Sequence, residues 1–357
     1  MTICIDCRMI DASGIGVYLR ESLPLLLQSD NDFLLVGNIK RLNCYSPNVN
    51  VKIIECDIKP FSVKETFFFL HKTALQINKA DLYFSPYFNI PSFLKIPVFT
   101  AIHDIIFPDM PELTSKIGLV ARMWFYRRAY KKSKKIFTVS EFSKSRIQHH
   151  LGTKKPVIVT HSAIQPVFLE YRANIQNVQK TQTIVFVGNI KKHKGLDLLI
   201  DAFSLAKKED LPHRLIIIGA KKNFRTSDNT LLRKIDALDS SAVTFTGFIS
   251  DEQVMEYLSK ASLLVQPSLY EGFCLPPLEA MVLGTQALIS DIPVLKEIYS
   301  DYPVTFFKSG SSLDLKEKMM WLLFNKKPSS PILQDDLLLK YTFEKTASVI
   351  LRELKQG

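Results

Sequence analysis

The chain has 357 residues, of which 46% are hydrophobic and 23% charged, and its formal net charge at pH 7 is +11. This length exceeds what one hydrophobic core usually serves and the composition is typical of a soluble globular protein, so we expect two domains. No run of about 18 apolar residues occurs, which excludes a membrane-spanning helix, whereas the positive charge favours a nucleic acid, an anionic membrane surface or a phosphorylated ligand as partner.

The N-terminal segment combines a strand pattern with a glycine loop. Residues 3–7 alternate as a strand, and the following loop holds Gly14 and Gly16 ahead of an apolar helical segment over residues 17–27. Strand, glycine loop and helix make up half of a dinucleotide-binding fingerprint, but the third glycine of that motif is absent. A plain tight turn is an equally good interpretation of these glycines.

The five cysteines are an odd number and lie scattered along the chain, which is typical of a reducing compartment. The N-terminus lacks the basic region and long apolar core of a signal peptide, so we expect a cytoplasmic protein. Cys4 and Cys7 form a CxxC, but strand positions three apart face opposite sides and no second pair follows. We expect no metal there, nor at Asp30-Asn31-Asp32, which we interpret as a solvated turn.

Apolar runs after the first helix predict further strands over residues 33–36, 51–54, 82–85 and 98–102. The last of them ends at His103, at the carboxyl edge where open α/β sheets bind ligands, although a lone histidine there is more often structural. Between the strands, residues 61–80 mix phenylalanines with lysines. We favour a helix packed on the sheet over an interfacial helix at a membrane.

Residues 115–135 are the most basic stretch, with eight lysines and arginines, no acid and four interleaved aromatic side chains. Three interpretations stay open: a nucleic-acid surface, an anionic membrane surface, or a helix that packs its aromatics inward and exposes its charges. Residues 136–139 and 157–160 predict the last strands of the first half, with a capped helix over 141–150 between them. Residues 162–183 are polar and aperiodic, so we expect no regular element there.

The alternation of strand and helix restarts at residues 183–187. The loop Gly188–Gly195 follows, and its basic side chains suit a diphosphate, although the order of a P-loop is absent. An amphipathic helix to Lys208 comes next. Further strands are expected over residues 214–219, 243–249, 263–266, 286–290 and 304–307.

Residues 268–281 hold the most informative pattern. Gly272 and the pair Pro276-Pro277 mark a tight loop between a buried strand and a helix over residues 278–283, with Glu271 at the start of the loop and Glu279 in the first helical turn. This geometry presents backbone N–H groups to an anion, so a phosphate-bearing ligand fits, with its hydroxyls on the carboxylates. Ordinary dipole complementation in an ordinary loop is the alternative.

These motifs, in this order, resemble the family 4 glycosyltransferases, which are retaining sugar transferases of the GT-B fold. The most specific of them is the pair Glu271 and Glu279, separated by seven residues around Gly-Phe-Cys-Leu-Pro. The resemblance implies that Glu271 binds the hydroxyls of the donor sugar and Glu279 the ribose. It also implies that the loop amides contact the donor sugar and phosphates, at Gly272, Phe273, Cys274 and Leu275.

The resemblance assigns further roles. Lys194 matches the lysine that neutralises the donor diphosphate, whereas Asn189 stands at the family's arginine position. One phosphate charge is therefore unaccounted for unless Lys191 or Lys192 compensates. The remaining expected site residues are Gly247 and Phe248 at the nucleobase, Gly14 and Gly16 at the cleft, and the catalytic His103 beside the donor sugar.

The resemblance implies an α/β, GT-B chain of two Rossmann-like, doubly wound domains that face a cleft. We expect an acceptor-side domain over residues 1–165 and a linker over 166–183. A nucleotide-sugar-binding domain would cover residues 184–340, and a terminal helix over 341–357 would cross back to the first domain.

By resemblance we expect a metal-independent transfer of a hexose with retained anomeric configuration, and a mannose-type sugar is the first choice. The expected acceptor is a hydroxyl of a lipid-linked or lipopolysaccharide glycan in polysaccharide or O-antigen assembly. No cofactor is expected, because the nucleotide-sugar is a substrate: a GDP-sugar first, with UDP- and dTDP-sugars as alternatives. The basic and aromatic stretches of the first half fit such a glycan acceptor and a peripheral position at the inner face of the cell membrane, with a soluble acceptor as the close alternative. The alternatives are a GT-B-like sugar-nucleotide epimerase and a nucleic-acid-binding protein. For the glycosyltransferase that we favour, we expect no nucleic-acid partner.

Overall fold

The structure is a computed structural model, and it describes residues 1–48, 50–69, 71–175, 178–219, 234, 241–325, 333 and 335–356. These residues group into two units. The first comprises Met1–Ala163 together with Tyr341–Gly357, and the second comprises Ile164–Lys340. Whether these units fold independently, as the predicted domains would, stays a prediction.

The first unit is built around a parallel sheet of seven strands in the order β3-β2-β1-β4-β5-β6-β7. The strands are β1 (Thr2–Asp6), β2 (Asp32–Gly37), β3 (Val51–Glu55), β4 (Leu82–Ser85), β5 (Val98–Ala101), β6 (Ser133–Thr138) and β7 (Val157–Val159). The helices before, between and after them are α1 (Gly14–Leu27), α2 (Ile39–Leu42), α3 (Val63–Phe67), α4 (His71–Ile77), α5 (Ile106–Asp109), α6 (Lys116–Lys132) and α7 (Glu141–Leu151).

The second unit contains a parallel sheet of six strands in the order β10-β9-β8-β11-β12-β13. The strands are β8 (Thr183–Val187), β9 (Arg214–Ile218), β10 (Val243–Gly247), β11 (Leu263–Gln266), β12 (Gln286–Ser290) and β13 (Thr305–Phe307). The helices are α8 (Pro166–Asn174), α9 (Leu196–Lys207), α10 (Asp251–Lys260), α11 (Pro276–Val282), α12 (Pro293–Tyr299), α13 (Ser312–Asn325) and α14 (Asp335–Leu338). The final helix, α15 (Phe343–Lys355), belongs to the first unit.

Two parallel sheets with helical connections confirm the predicted α/β, doubly wound architecture. In each sheet the chain moves outward to one edge and then returns to the other side of its first strand, so β1 and β4 are neighbours in one sheet and β8 and β11 in the other. Open α/β sheets bind ligands beyond the carboxyl ends of strands at such a switch point. The loops after β8 and β11 are therefore the expected ligand loops of the second unit.

Burial explains why these segments form strands. The side chains of β11 and β12 are all buried, as expected for parallel strands covered on both faces. Helix α9 buries one stripe, with Leu199, Ile200 and Phe203 at the spacing of a helical face, against Phe186 of β8 and Ile217 of β9. This apolar layer fixes the position of the loop that connects β8 to α9.

Helix α15 packs within the first unit through its amphipathic face. The ammonium group of Lys135 donates to the Glu353 carboxylate at 2.9 Å, and the Thr346 hydroxyl donates to the carbonyl oxygen of His161 at 2.5 Å. The ring of Tyr341 lies 4.9 Å from that of His161. Side-chain and backbone contacts thus attach the end of the chain to β6 and to the segment after β7.

Residues 61–80 do not form the single core helix that the sequence predicts. They form α3 and α4, and the side chains of Phe67 and Phe68 are 55% and 70% exposed, whereas Phe69 is buried. The Ser62 hydroxyl caps α3, and the buried carboxylate of Glu65 accepts a hydrogen bond from the Phe61 N–H at 2.8 Å. These local bonds fix the first turn of α3, while Phe67 at its end and the following Phe68 face solvent.

Two further expectations need correction. The aperiodic segment over residues 162–183 does contain a helix, α8, which begins with Pro166 at a position where the missing N–H costs nothing and which buries Phe168. In the basic stretch, α6 buries Tyr126 and Tyr130 but leaves Trp124 43% exposed. The inward-packing interpretation of its aromatics is therefore right only in part.

Candidate active site

The loop after β8 lies against the loop after β11. Gly195 has a φ of 66°, and a Cβ atom there would lie 2.0 Å from the carbonyl oxygen of Pro267, so only glycine fits. The Leu269 N–H donates to the His193 carbonyl oxygen at 2.8 Å. The switch-point topology thus places two loops, far apart in sequence, in direct contact.

An ion pair joins these two loops. The Lys194 ammonium group contacts both carboxylate oxygens of Glu271, at 2.7 Å and 2.8 Å, and the Ser268 hydroxyl donates to the same carboxylate at 2.7 Å. The Glu271 side chain is 8% exposed and that of Lys194 is 21% exposed. The carboxylate is therefore held in one orientation at the edge of the sheet, while part of the lysine remains accessible to solvent.

The electrostatics of this pair keep it charged. Burial disfavours the charged carboxylate of Glu271, but Lys194 and the hydrogen bonds outweigh it, so the pKa of Glu271 lies below its usual value. Burial, followed by the charge of Lys194, lowers the pKa of His193 to about 4, so that imidazole is neutral near pH 7. Lys194 and Glu271 are thus the ionised groups at this point of the site.

The loop over residues 272–275 is held by unusual backbone geometry. Cys274 has a φ of 76°, and its carbonyl oxygen accepts a hydrogen bond from the Tyr299 hydroxyl. Helix α11 then begins with Pro276 and Pro277, which have no N–H to offer. The amide donors available to an anion here therefore belong to the loop rather than to the helix.

Glu279 is buried in the first turn of α11, and within the described part of the chain its carboxyl group forms no ion pair. Burial, followed by the negative charge of Asp251, raises the pKa of Glu279 to about 8. Its carboxyl group is therefore mostly protonated at neutral pH and is able to donate a hydrogen bond as well as accept one.

The ends of β8, β9 and β10 converge at glycines. Gly219 has a φ of 158°, and a Cβ atom there would lie 2.2 Å from the Gly188 carbonyl oxygen. Gly247 has a φ of 74° with open space at its Cβ position, and the neighbouring Phe248 is 77% exposed. Asn189 is half-buried after β8, while Lys191 and Lys192 are exposed on the same loop.

The first unit places His103 beside helix α1. Its Nε2 lies 2.8 Å from the carbonyl oxygen of Pro86, which can only accept, so Nε2 carries the proton and Nδ1 is left as an acceptor. Burial lowers the pKa of His103, which keeps the ring neutral. The Tyr18 ring meets it edge-on at 4.9 Å, and the Tyr18 hydroxyl bonds Thr160 at 2.8 Å.

Gly14 and Gly16, predicted in a loop before the first helix, instead lie in the first turn of α1, the helix that carries Tyr18 beside this histidine. A Cβ atom at Gly16 would lie 2.7 Å from the carbonyl oxygen of Ile10, so glycine permits the close turn, whereas Gly14 has open space. Within the first unit the structure therefore brings Gly16, Tyr18 and His103 to one edge of the sheet.

Comparison with protein families identifies the second unit. Residues 167–332 match the family described as "Glycosyl transferases group 1". This segment belongs to the group 1 glycosyltransferases. The predicted resemblance to family 4 glycosyltransferases is therefore confirmed.

Curated relatives of the chain are glycosyltransferases as well. The O-antigen chain mannosyltransferase B of Escherichia coli is 26% identical over 64% of this chain and 61% of its own length. The N,N'-diacetylbacillosaminyl-diphospho-undecaprenol alpha-1,3-N-acetylgalactosaminyltransferase of Campylobacter jejuni is 24% identical over 76% and 74%. The chain spans 53% to 61% of the length of the first curated relatives that it matches.

Among solved structures, HepE from Anabaena in complex with UDP-glucose is similar over 100% of both chains, with a TM-score of 0.73 and 16% identity. This likeness shows the fold. Together with the two sheets it confirms the predicted GT-B architecture.

The group 1 segment contains most of the site residues predicted from sequence. The structure brings together Lys194, Glu271 and the loop over residues 272–275, and it places Glu279 in the helix that follows. Their roles stay predictions. Sequence reasoning missed Ser268, which is fully buried against Glu271, and the packing role of Gly195 and Gly219. The sequence signal was a glycine directly before a helix at Gly195 and directly after a strand at Gly219, where the chain needs a positive φ.

Sequence reasoning also missed a buried ionic cluster beyond the ends of β1 and β4. Arg8 contacts the carboxylates of Asp6 and Glu65, both at 2.5 Å, and the hydroxyls of Tyr83 and Tyr87 bond Asp6 at 2.5 Å and 3.0 Å. Arg8 and Glu65 lie 57 residues apart in the sequence, so no local sequence pattern predicts their contact.

Within the described ranges, no group of three or more histidine, cysteine, aspartate or glutamate side chains is arranged to hold a metal ion. Across the same residues, no helix has both the length and the apolar composition of a membrane span.

Proposed function

We propose that the protein is a retaining glycosyltransferase that moves a hexose from a nucleotide-diphosphate sugar to a hydroxyl of a lipid-linked or lipopolysaccharide glycan. The observation that carries this proposal is the Lys194–Glu271 pair, fixed beside the loop over residues 272–275 at the switch point of the second sheet. The membership of residues 167–332 in the group 1 family supports it.

We assign the donor contacts as follows. The partly exposed ammonium group of Lys194 and the loop amides bind the diphosphate, since both are suited to oxyanions. Glu271, held ionised by Lys194 and Ser268, accepts hydrogen bonds from the hydroxyls of the sugar. Glu279, with its pKa of about 8, exchanges hydrogen bonds with the ribose.

The reaction breaks the bond between the anomeric carbon and the diphosphate and forms one to the acceptor oxygen on the same face of the sugar. Positive charge develops on the sugar ring and negative charge on the departing phosphate. Lys194 and the amides stabilise that negative charge in a preorganised way. We propose that the leaving phosphate accepts the proton of the acceptor hydroxyl, so neither a dedicated general base nor a metal ion is required.

His103 contributes a neutral imidazole in this proposal. Its Nε2–H is engaged by Pro86, and Nδ1 is an acceptor that suits a hydroxyl of the donor sugar. A protonated imidazole would repel the developing positive charge on the ring, and burial disfavours that form.

The donor that we would test first is GDP-mannose, because a curated relative is an O-antigen mannosyltransferase. UDP-glucose comes next, since the Anabaena protein was solved with it, and dTDP-glucose completes the panel. The lipid diphosphate in the name of the Campylobacter relative supports a polyprenyl-diphosphate-linked sugar as the acceptor. The basic stretch over residues 115–135 supports a position at the inner face of the cell membrane.

Two measurements test the proposal. In a thermal-shift panel the correct nucleotide-sugar should stabilise the protein, by about 2.7 kcal/mol at 100 times its Kd. In a product assay, release of nucleotide diphosphate should depend on a polyprenyl-diphosphate sugar and should yield an α-linked product from GDP-mannose. Sustained conversion of the donor without acceptor would instead indicate an epimerase and would overturn the proposed transfer.

A further inference from the structure

Helices α3 and α6 of the first unit expose apolar side chains to an unusual extent. The side chains of Ile117 and Val120 are 84% and 70% exposed, and Trp124 is 43% exposed. Their spacing of three and four residues places them on one face of α6. Val63, Phe67 and Phe68 of the α3 region are 67%, 55% and 70% exposed. A monomeric soluble protein rarely presents so many large apolar groups together.

The two helices share one surface. The ring of Phe67 stacks on that of Trp124, with centroids 5.9 Å apart and an interplanar angle of 30°. Beneath them, Phe61 contacts Phe125 edge-on at 6.5 Å. We call the residues Val63, Phe67, Phe68, Ile117, Val120 and Trp124 the α3–α6 surface.

Exposed cations continue this surface. Arg127 and Lys131 follow Trp124 on the same face of α6, at spacings of three and seven residues, and Lys64 and Lys116 lie beside the apolar groups. No aspartate or glutamate occurs from residue 115 to residue 135. The face of α6 is thus apolar in its N-terminal half and cationic in its C-terminal half.

Bulky apolar side chains beside lysines and arginines are typical of protein surfaces that bind the interface of a lipid bilayer. The apolar groups enter the acyl boundary and the cations meet the anionic headgroups. A symmetric contact with a second copy of this chain would oppose these cations to one another, which is unfavourable. The phosphates of a nucleic acid would pair with the cations and its bases would stack on Trp124, but it has no apolar surface to cover Ile117 and Val120.

We propose that the α3–α6 surface docks the protein on an anionic phospholipid bilayer. Docking deepens the membrane position given under the proposed function and rests on that part of it, but it requires neither a donor nor an acceptor sugar and is therefore testable without transfer. A protein that binds vesicles but transfers no sugar, or the reverse, would separate the two proposals.

The first experiment is flotation of the full chain with vesicles of phosphatidylcholine alone and of equal parts phosphatidylcholine and phosphatidylglycerol. Binding is expected only to the anionic vesicles and should fall with added salt. Arg127→Glu/Lys131→Glu should weaken it roughly 25-fold or more, since each lost cation weakens binding about five-fold. Its control, Lys40→Glu/Lys52→Glu, makes the same charge change at exposed lysines elsewhere in the first unit.

The apolar half is tested in the same assay. Ile117→Ser/Val120→Ser should reduce flotation with anionic vesicles at least ten-fold while leaving the melting temperature unchanged, because both side chains are exposed. The matched control is Leu313→Ser/Trp321→Ser, which alters side chains of α13 that are 56% and 52% exposed. The control pair should float like the unaltered protein.

A second experiment reports on the surface directly, because the chain has only two tryptophans, Trp124 and Trp321. In Trp321→Phe, anionic vesicles should shift the remaining Trp124 emission to shorter wavelength, and lipids brominated near the headgroup should quench it. In Trp124→Phe, the emission of Trp321 should not respond. Equal responses of the two tryptophans would overturn the proposal.

Three other outcomes would also overturn it. Equal binding to neutral and anionic vesicles would remove the role of the cations. A dimer that Ile117→Ser/Val120→Ser converts to monomer would assign the surface to a second copy of the chain. Tight binding of a single-stranded oligonucleotide, lost in Arg127→Glu/Lys131→Glu while vesicles are ignored, would assign it to nucleic acid.

Discussion

Each unit of the protein holds buried carboxylates on a cation at the carboxyl edge of its sheet, but the two arrangements differ in how closed they are. In the first unit Arg8, with a side chain only 2% exposed, lies between Asp6 and Glu65, which are fully buried. In the second unit Lys194, 21% exposed, meets the single carboxylate of Glu271. The first cation is sealed within the protein and the second borders solvent.

This difference separates a structural role from a binding role. The guanidinium of Arg8 also donates to the Tyr87 hydroxyl at 2.9 Å and to the Ile58 carbonyl oxygen at 3.2 Å, so it ties the segment after β3 to the sheet edge. An ammonium group that reaches solvent is, by contrast, able to meet an incoming diphosphate. Stability should depend more strongly on the first cluster, and turnover should depend on the second.

The largest effect should follow from removing the sealed cation. Arg8→Met leaves two carboxylates buried without their cation, and we expect the free energy of unfolding to fall by about 3–5 kcal/mol. Urea-induced unfolding measures this loss. The control is Arg41→Met, which removes a solvent-exposed ion pair with Asp11 and should leave the free energy of unfolding almost unchanged. Similar losses for the two variants would show that the cluster does not carry the stability assigned to it.

The accessible cation should show the converse behaviour. In Lys194→Ala we expect kcat/KM to fall about 100- to 1,000-fold, equivalent to about 2.7–4 kcal/mol, because the charge that stabilises the departing phosphate is gone. Initial rates with the best donor of the panel measure this, and urea unfolding without donor separates it from a folding defect. Lys208→Ala, at an exposed lysine just after α9, should leave the rate unchanged. Turnover near the unaltered level in Lys194→Ala would refute the donor assignment.

The two clusters also differ in how far sequence could predict them. Strands Leu82–Ser85, Thr183–Val187, Leu263–Gln266 and Gln286–Ser290 match their predictions residue for residue, because strands buried on both faces are continuous apolar runs. Glu271 and Lys194 were predicted from loops at strand ends and from family resemblance. Their contact, across 77 residues, follows from the switch point that brings the two loops together.

The contact between Arg8 and Glu65 had no such guide, since neither residue lies in a recognised motif. The exposure of Phe67 and Phe68 was missed for a related reason. Hydrophobic periodicity assumes that apolar faces turn inward, whereas the buried Glu65 of α3 is bound by Arg8 and Tyr87, and Phe67 and Phe68 face solvent. Tertiary contacts that override local pattern are what the sequence alone could not supply.

The contact between the two loops of the active site gives a third prediction. In Gly195→Ala the new Cβ atom would meet the Pro267 carbonyl oxygen, and the positive φ alone costs roughly 1–3 kcal/mol. We expect a lower melting temperature together with weaker donor binding, as the loops are pushed apart. Gly310→Ala, at a φ of 79° with open space around it, is the matched control and should lose stability without losing donor affinity. Equal donor affinity in both variants would show that loop contact does not position the site.

Glu271 and Glu279 provide the finest comparison: both are 8% exposed, and among the residues that the structure describes a lysine pairs with Glu271 but none pairs with Glu279. Burial raises the pKa of Glu279 from 4.5 to about 8. The unfolded chain therefore releases this proton at lower pH than the native protein, so native stability falls as pH rises from about 4.5 to about 8. The slope should approach about 1.4 kcal/mol per pH unit.

For Glu271 the sign is reversed, because its lowered pKa contributes stability that is present above the unfolded pKa and is lost as pH falls through the native one. Urea midpoints measured from pH 4 to pH 9 should thus show that Glu279→Gln flattens the decline and is more stable than the unaltered protein at pH 8. Glu271→Gln should be less stable there, and Glu344→Gln, an exposed control on α15, should match the unaltered protein. If Glu279→Gln instead destabilised the protein at pH 8, the native carboxyl would have to be ionised and paired. Its proposed hydrogen-bond exchange with ribose would then be wrong.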